Sequence, residues 1–386
     1  MDGCLKCTTK GLYDHDSKTV VFSNKGCHLR TDKIFREKGY GKHHKSGSET
    51  PLLRIPGFDM IQDFVIADSL HLLDLGIMKR CLLGWRDGTL GRATKLSTEQ
   101  INKLSEALLK IELPSEFHRT MRDIDCIAYW KGTELRAFLN YAGIVVLEGI
   151  LNDQCYQHFL HLLVAVRICS SQQYSAYLPI AKQLFNKYID EFEKIYGSQF
   201  ITSDVHTLEH VVDDVTRFGI LQTISSYPFE NTLFQIKRLL RNGSNTLQQV
   251  VNRIAEKNAI VALKSGRDSS IKLKRCGTKV EVLVGGSYKL TNEFKNSWFM
   301  TSDINIVQMT SAIENEGQIF IEGRALKTKN LFFDLPCRSS FIHVYTSNHE
   351  LLKSACKYDI HEISSKLVGI RLSETETVFI PLIHTL

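Results

Sequence analysis

"NTLQQVVNRIAEKNAIVALKSGRDSS" (245–270) is followed shortly by "KVEVLVGG" (279–286), and the chain changes character between them. The first stretch keeps apolar residues at helical spacing, whereas the second is short and β-branched and ends on glycine. Working back from this join, the pattern from 51 to about 262 is mostly helical. "STEQINKLSEALLKI" (97–111) opens with the capping-box order Ser97, Thr98, Glu99, Gln100. "GTELRAFLNYAGIVVLEGIL" (132–151) and "DQCYQHFLHLLVAVRIC" (153–169) are apolar enough to be buried. "AYLPIAKQLFNKYIDEFEKIYG" (176–197) is amphipathic and closes on Gly197, a helix stop. Helices are also expected around 204–214, over "TLFQIKRLLR" (232–241) and over 245–264. Forward of the join, "GQIFIEG", "SFIHVYTS", "KLVGIRL" and "TVFIPLI" read as strands. The expected class is therefore α+β. Residues 1–50 form a CxxC-containing loop or knuckle region, 51–265 a helical domain and 266–386 a small β-rich domain.

Bulk properties narrow the function classes. The 386 residues are 43% hydrophobic and 23% charged, as in an ordinary globular protein. A net charge of +6 is a mild basic bias, compatible with nucleic acid. Most of the ten cysteines stand alone in apolar or mixed segments (Cys81, Cys126, Cys155, Cys169), as thiols do in a reducing compartment. No stretch reaches the ~18 apolar residues of a membrane span. A nuclear or cytoplasmic protein without a membrane partner is expected.

Two short spacings carry chemistry. In "DVHTLEHVVDD" (204–214), His206 and His210 lie four apart and share one helical face. They suit a metal, although two polar histidines on a half-exposed face would look the same. "CLKC" sets Cys4 and Cys7 at a spacing from which two thiolates reach one ion. A chance pair or a redox motif is the alternative, but the strand before and long helix after of a thioredoxin-like site are not evident. Together the four supply two sulfurs and two nitrogens, the tetrahedral zinc set. About 200 residues separate the halves, so the site would be a tertiary staple. Cys27, His28, His43 and His44 are competing ligands. A zinc hydrolase is disfavoured: HExxH is absent, Glu209 stands on the wrong side of the pair, and four ligands leave no open position for water.

Other polar residues have both a plain and a functional reading. Glu230, after Pro228, is a helix-start glutamate or a metal-binding carboxylate, with Lys237, Arg238 and Arg241 placed to meet phosphate. Trp130 and Lys131, near Glu134 and Arg136, could stack and pair on nucleic acid, or open a helix around a buried ring. In "DFVIADSLHLLDLGIMKR" (63–80), Asp68 and His71 are one turn apart as a polar couple, near Asp63 and Asp74. Spacing alone does not make them catalytic.

Taken in order, "GCLKC", "RTDKIFR", "LLRIPGFDMIQDFVIADSLHLLDLGIMKR", "LPSEFHRTMRDIDCIAYWKGTELRAFLNYAGIVVLEGIL", "YQHFLHLLVAVRI", "IYGSQFITSDVHTLEHVVDDVTRFGILQTISSYPFEN" and "LQQVVNR" resemble CACTA-type (En/Spm-like) DNA transposases, over roughly residues 3–254. The nearest resemblance is to the insect transposase domain-containing proteins derived from them. That family has an RNase H-like catalytic core interrupted by a helical insertion. Two aspartates and a glutamate there hold two divalent ions, Mg2+ in the parent family, for in-line attack on a phosphodiester. The resemblance makes Cys4, Cys7, His206 and His210 ligands of a structural Zn2+, and Glu230 the third catalytic carboxylate. It implies double-stranded DNA as partner, with Lys131, Lys237, Arg238 and Arg241 as candidate contacts, and is compatible with a homo-oligomer.

One departure changes the expectation. The family's two aspartates precede the CxxC, where this sequence has only Met1, Asp2 and Gly3, and Asp2 is too close to Cys4 to be one of them. A lone carboxylate does not hold a metal pair. The chain therefore resembles the C-terminal part of a transposase, with an incomplete core, and is expected not to cut DNA alone. Two origins fit: a truncated copy or gene model, or a domesticated remnant retained as a DNA- or protein-binding module. A non-enzymatic zinc-stapled scaffold for protein interaction is the alternative.

Overall fold

The computed structural model describes residues 3–22, 26–41, 44, 49–262, 271–285 and 287–385. The helical region is built around Asp153–Cys169, whose buried residues run all round its axis from Cys155 to Cys169. Such a helix belongs at the centre of a core. Asn152 caps its start by accepting from the Cys155 N–H. The amphipathic helix Leu178–Tyr196 packs against it, with Pro179 in the first turn and Gly197 at the end. The expected capping box is formed: Gln100 N–H donates to Ser97 Oγ at 3.2 Å, and Ser97 N–H to Gln100 Oε1 at 2.9 Å.

Two helical stretches depart from simple periodicity. Residues 132–146 divide into an α-turn, Gly132–Ala137, a π-wound segment, Phe138–Ala142, and a second α-turn, Gly143–Val146. Ser69–Met78 is also π-wound and is capped by Asp68. The wider winding shifts which side chains share a face, and such windings collect at functional sites.

The N-terminal region is more structured than its loop composition implies. Strands β1 (Leu12–Asp14) and β2 (Thr19–Val21) form an antiparallel hairpin. Thr31 caps a short helix, Asp32–Arg36. His43, a competing ligand in the sequence reading, lies outside the described residues.

The join between helices and strands falls between Ala262 and Lys272. Beyond it, β3 (Lys272–Cys276), β4 (Lys279–Val284) and β5 (Tyr288–Thr291) form one sheet. The second sheet uses β6 (Trp298–Thr301), β7 (Ile306–Asn315), β8 (Gln318–Leu326), β9 (Asn330–Leu331), β10 (Tyr345–Asn348), β11 (Leu352–Asp359), β12 (Ile363–Arg371) and β13 (Glu376–Pro381). Its order is β11-β8-β7-β6-β12-β13-β10-β9, and the pairings are antiparallel. "SFIHVYTS" is only half strand, because Ser339–Ile342 forms a 3-10 turn before β10.

The β-rich region does not stand free of the helices. Val368, Ile370, Val378, Ile380 and Leu382 belong to the same apolar core as the Asp153–Cys169 helix. Buried Arg167 donates to the carbonyls of Asn140 and Pro381 at 3.2 and 2.9 Å. Lys366, wholly buried, is held by both oxygens of Glu116 at 2.9 and 2.7 Å. The fold is α+β; among the described residues from 49 to 262 there is no strand.

Candidate metal centre

Cys4 and Cys7 are presented by a tight N-terminal turn. Gly3 opens it at φ +126°, where a Cβ would meet the Thr9 carbonyl at 2.4 Å. Only glycine fits both demands. Cys4 N–H donates to that same carbonyl at 2.9 Å, and Lys6 N–H points at Cys4 Sγ at 3.4 Å. Thr8 N–H and Arg30 N–H close the turn on the carbonyls of His28 and Lys6.

The histidines arrive from the other end of the helical region. His206 lies in the short helix Ser203–Thr207, and His210 ends a 3-10 turn, Leu208–His210, that precedes the helix Val211–Phe218. The i, i+4 expectation of one continuous α-helix is thus modified by a tighter turn between the rings. Their centroids lie 5.5 Å apart at 77°. Phe22, just after the β1–β2 hairpin, stacks on His206 at 5.7 Å, and its N–H donates to the Ile201 carbonyl.

Cys4, Cys7, His206 and His210 are all buried and offer ligand atoms within 4.8 Å of one another. Cys7 Sγ is 3.3 Å from His206 Nε2. A tetrahedral ion at about 2.0–2.3 Å from each donor would hold the four about 3.3–3.8 Å apart, so a small contraction completes the shell. Two further observations fit a cation. His210 Nε2 is buried without a hydrogen-bond partner among the described residues. The Cys4 thiol is drawn down to about 6, chiefly by its hydrogen bond with Cys7; burial opposes this, and the Lys6 and Cys7 N–H groups and Arg30 assist. This cluster can hold a metal ion. Glu209, 3.7 Å from His206 Nδ1, faces the ring side away from the thiol. That is the place of a carboxylate orienting a ligand, not of a base.

A buried ion pair ties the turn to the helices. Lys6 Nζ lies 2.8 Å from Asp214 Oδ1, and the Ile66 and Ala67 N–H groups donate to Asp214 Oδ2 at 2.7 and 3.0 Å. The sequence reading missed both residues. The available signal was that His206, His210 and Asp214 repeat at four-residue spacing. Cys27, His28 and His44 are not in the cluster.

Glu230 belongs to a different group. It sits exposed in the first turn of the helix Tyr227–Leu239, which buries none of its residues. Ser226 N–H and Oγ donate to Asp68, at 2.8 and 2.5 Å, and the Tyr227 hydroxyl donates to Asp74 at 2.7 Å. Gly132 makes room for that hydroxyl, since a Cβ there would lie 2.6 Å from it. His71 bridges the group, with Nδ1 2.5 Å from Asp68 and Nε2 3.9 Å from Glu230. Lys131, Lys237, Arg238 and Arg241 are exposed. Trp130 is buried and donates to the Asp123 carbonyl at 3.2 Å, so the helix-start reading of this ring holds and the stacking one does not. Glu134, also buried, is paired with Arg122.

Residues 278–382 match a family described as a domain of unknown function, DUF8592. The matched span lies within the β-rich region and includes none of the metal-centre residues. No curated protein and no solved structure matches the chain. No helix among the described residues is long and apolar enough to cross a membrane.

Proposed function

We propose that this chain is a transposase-derived DNA-binding protein, stapled by one structural zinc ion and without strand cleavage of its own. The observation that carries the proposal is the convergence of Cys4, Cys7, His206 and His210 from opposite ends of the helical region into one buried cluster. Two thiolates with two imidazoles suit zinc in preference to a hard cation, and four protein ligands leave no coordination position for a reacting water. Zinc here holds the N-terminal turn on the helices.

The surroundings of Glu230 support the absence of cleavage. Two-metal chemistry needs several free carboxylates to offset the repulsion between the ions. Asp68 is already taken up by the Leu70, His71 and Ser226 N–H groups, the Ser226 hydroxyl and the His71 ring. Asp74 is buried beneath Tyr227. Neither can join Glu230 around a second ion without dismantling the anchor of its helix.

A second reading, a protein-interaction module, is favoured by one observation. Phe229, Leu233, Phe234, Leu247 and Val251 leave more than half of their surface exposed on the helices Tyr227–Leu239 and Thr246–Ala262. Apolar exposure of this kind marks contact surfaces.

Duplex binding as a function of salt separates the readings. DNA recognition predicts an affinity whose logarithm falls linearly with the logarithm of salt concentration. Replacing Lys131, Lys237, Arg238 and Arg241 together by alanine should flatten that slope by about 3–4. No binding at low salt removes the DNA reading and leaves the interaction module. Metal analysis tests the staple separately: about one zinc per chain is expected, and Cys4→Ser with Cys7→Ser should abolish it. Free labelling of both thiols in the native protein refutes the centre.

A further inference from the structure

An open cavity of about 320 Å³ lies where the helical region meets the last residues of the β-rich one. Ligand pockets run from ~300 to ~1,000 Å³ and gather at such joins, so this one suits a guest of one or two rings. Its floor is apolar. Phe117 and Tyr141, in edge contact at 5.2 Å, form it together with Leu382 and Ile383. The floor is also preformed: the Ile383 N–H donates to the Tyr141 hydroxyl at 3.0 Å, and the Leu382 N–H to the Lys366 carbonyl at 2.8 Å. These bonds fix the segment after β13 against the helical stretch that carries Tyr141.

The charges around this cavity do not cancel. Among the described residues that line it, Glu116 is the only acid. Both of its oxygens are taken by Lys366 Nζ, at 2.9 and 2.7 Å, and the Lys289 N–H donates to Oε1 at 2.9 Å. Two lining arginines, Arg119 and Arg136, are left without an acceptor for their guanidinium groups among the described residues. Arg136 rests 5.8 Å from the Tyr227 ring centroid, a contact that uses none of its N–H donors. Asp74 feels the Arg136 charge but lies beyond ion-pair reach, and burial keeps its carboxyl up at about 8, so it does not neutralise the arginine. A guanidinium offers a planar fork of donors that matches a carboxylate.

We propose that this cavity binds a small organic carboxylate with a flat apolar body, the acid group paired with Arg136 and Arg119 and the body laid on Phe117 and Tyr141. The unpaired charge selects an anion, and the aromatic floor excludes a bare inorganic one as the preferred guest. Burial of the ring supplies affinity, and the arginines fix its orientation. The site shares no residue with the Cys/His cluster.

The test is a calorimetric titration of the full chain with indole-3-propionate, with its neutral amide and with inorganic phosphate. One site per chain with a Kd of about 1 mM or tighter is expected for the acid. The amide, which has the body without the charge, and phosphate, which has the charge without the body, should each bind about tenfold more weakly or worse. Arg136→Gln should weaken the acid about tenfold and leave the amide unaffected. Thr133→Trp, at an exposed position on the cavity wall, should block the acid while the urea midpoint stays in place. Bound acid should also shift the ring resonances of His118 and His384, which line the cavity. Equal binding of acid and amide, binding of the acid unchanged in both variants, or no binding at about ten times the expected Kd overturns the proposal. The titration contains no DNA, so its failure and failure of the DNA reading are read separately.

Discussion

Replacing Asp214 by asparagine tests the contact that joins the metal-bearing turn to the rest of the protein. The Lys6 and Asp214 side chains are only 6% and 2% exposed, and their charged atoms are 2.8 Å apart. Asparagine keeps the shape and can still accept from the Ile66 or Ala67 N–H. It removes the counter-charge, however, and leaves the buried Lys6 ammonium with the Gln62 carbonyl at 3.3 Å. Breaking a buried pair in this way costs about 3–5 kcal/mol. Lys6→Met should cost less, about 2 kcal/mol, because two backbone N–H groups continue to stabilise the Asp214 carboxylate. Replacing both side chains by apolar ones is not neutral either, since the Ile66 and Ala67 N–H groups then lose their acceptor. Urea unfolding followed by tryptophan fluorescence gives the free energies by linear extrapolation. Zinc content, read in parallel, should stay near one per chain, because no ligand is altered. A loss below about 1 kcal/mol for Asp214→Asn, or a larger loss for Lys6→Met, would show that this pair does not fasten the turn to the helices.

Two further substitutions probe buried ionisable groups. Burial pushes the Asp74 carboxyl up to about 8, against the lowering effect of the Tyr227 hydroxyl. An acid whose folded pKa exceeds its unfolded value takes up a proton on folding between the two. The Asp74 contribution to stability should therefore be fully present below about pH 4 and be lost, by up to about 1.4 kcal/mol per unit, as pH rises towards 8; Asp74→Asn should remove that component from the pH profile, and an unchanged profile would count against it. Lys366→Met removes the ammonium that binds Glu116, the Lys289 carbonyl and Asn296. A cost of about 3–5 kcal/mol, or roughly 4–6 °C in Tm by calorimetry, is expected, and a shift under 2 °C would show that this bond does not fasten the β-rich region to the helices.

Local signals were legible because they depend on a few neighbouring residues. The Ser97–Gln100 box, the all-round apolar run 153–169, the stop at Gly197 and the switch to strands after Ala262 follow from capping chemistry and from the 3.6- and 2-residue periods. The four metal-centre residues were likewise legible as two short spacings, CxxC and i, i+4. The β1–β2 hairpin was not, because its strands of three residues are too short to show a period. Nor were the π-wound segments, whose extra residue per turn lies outside the helical repeat.

Sequence alone determined the order of the main helices and strands beyond residue 51 and which side chains could ligate a metal. Tertiary structure decided that the thiol and imidazole pairs meet, that Lys6 finds Asp214, that His71 faces Glu230, and that β12 and β13 complete the helical core. The physical reason is range. A spacing of three or four residues sets relative orientation through the backbone. Partners 150 or more positions apart, such as His71 and Glu230 or Cys7 and His206, are brought together only when burial of a shared core outweighs the entropy of closing the chain between them.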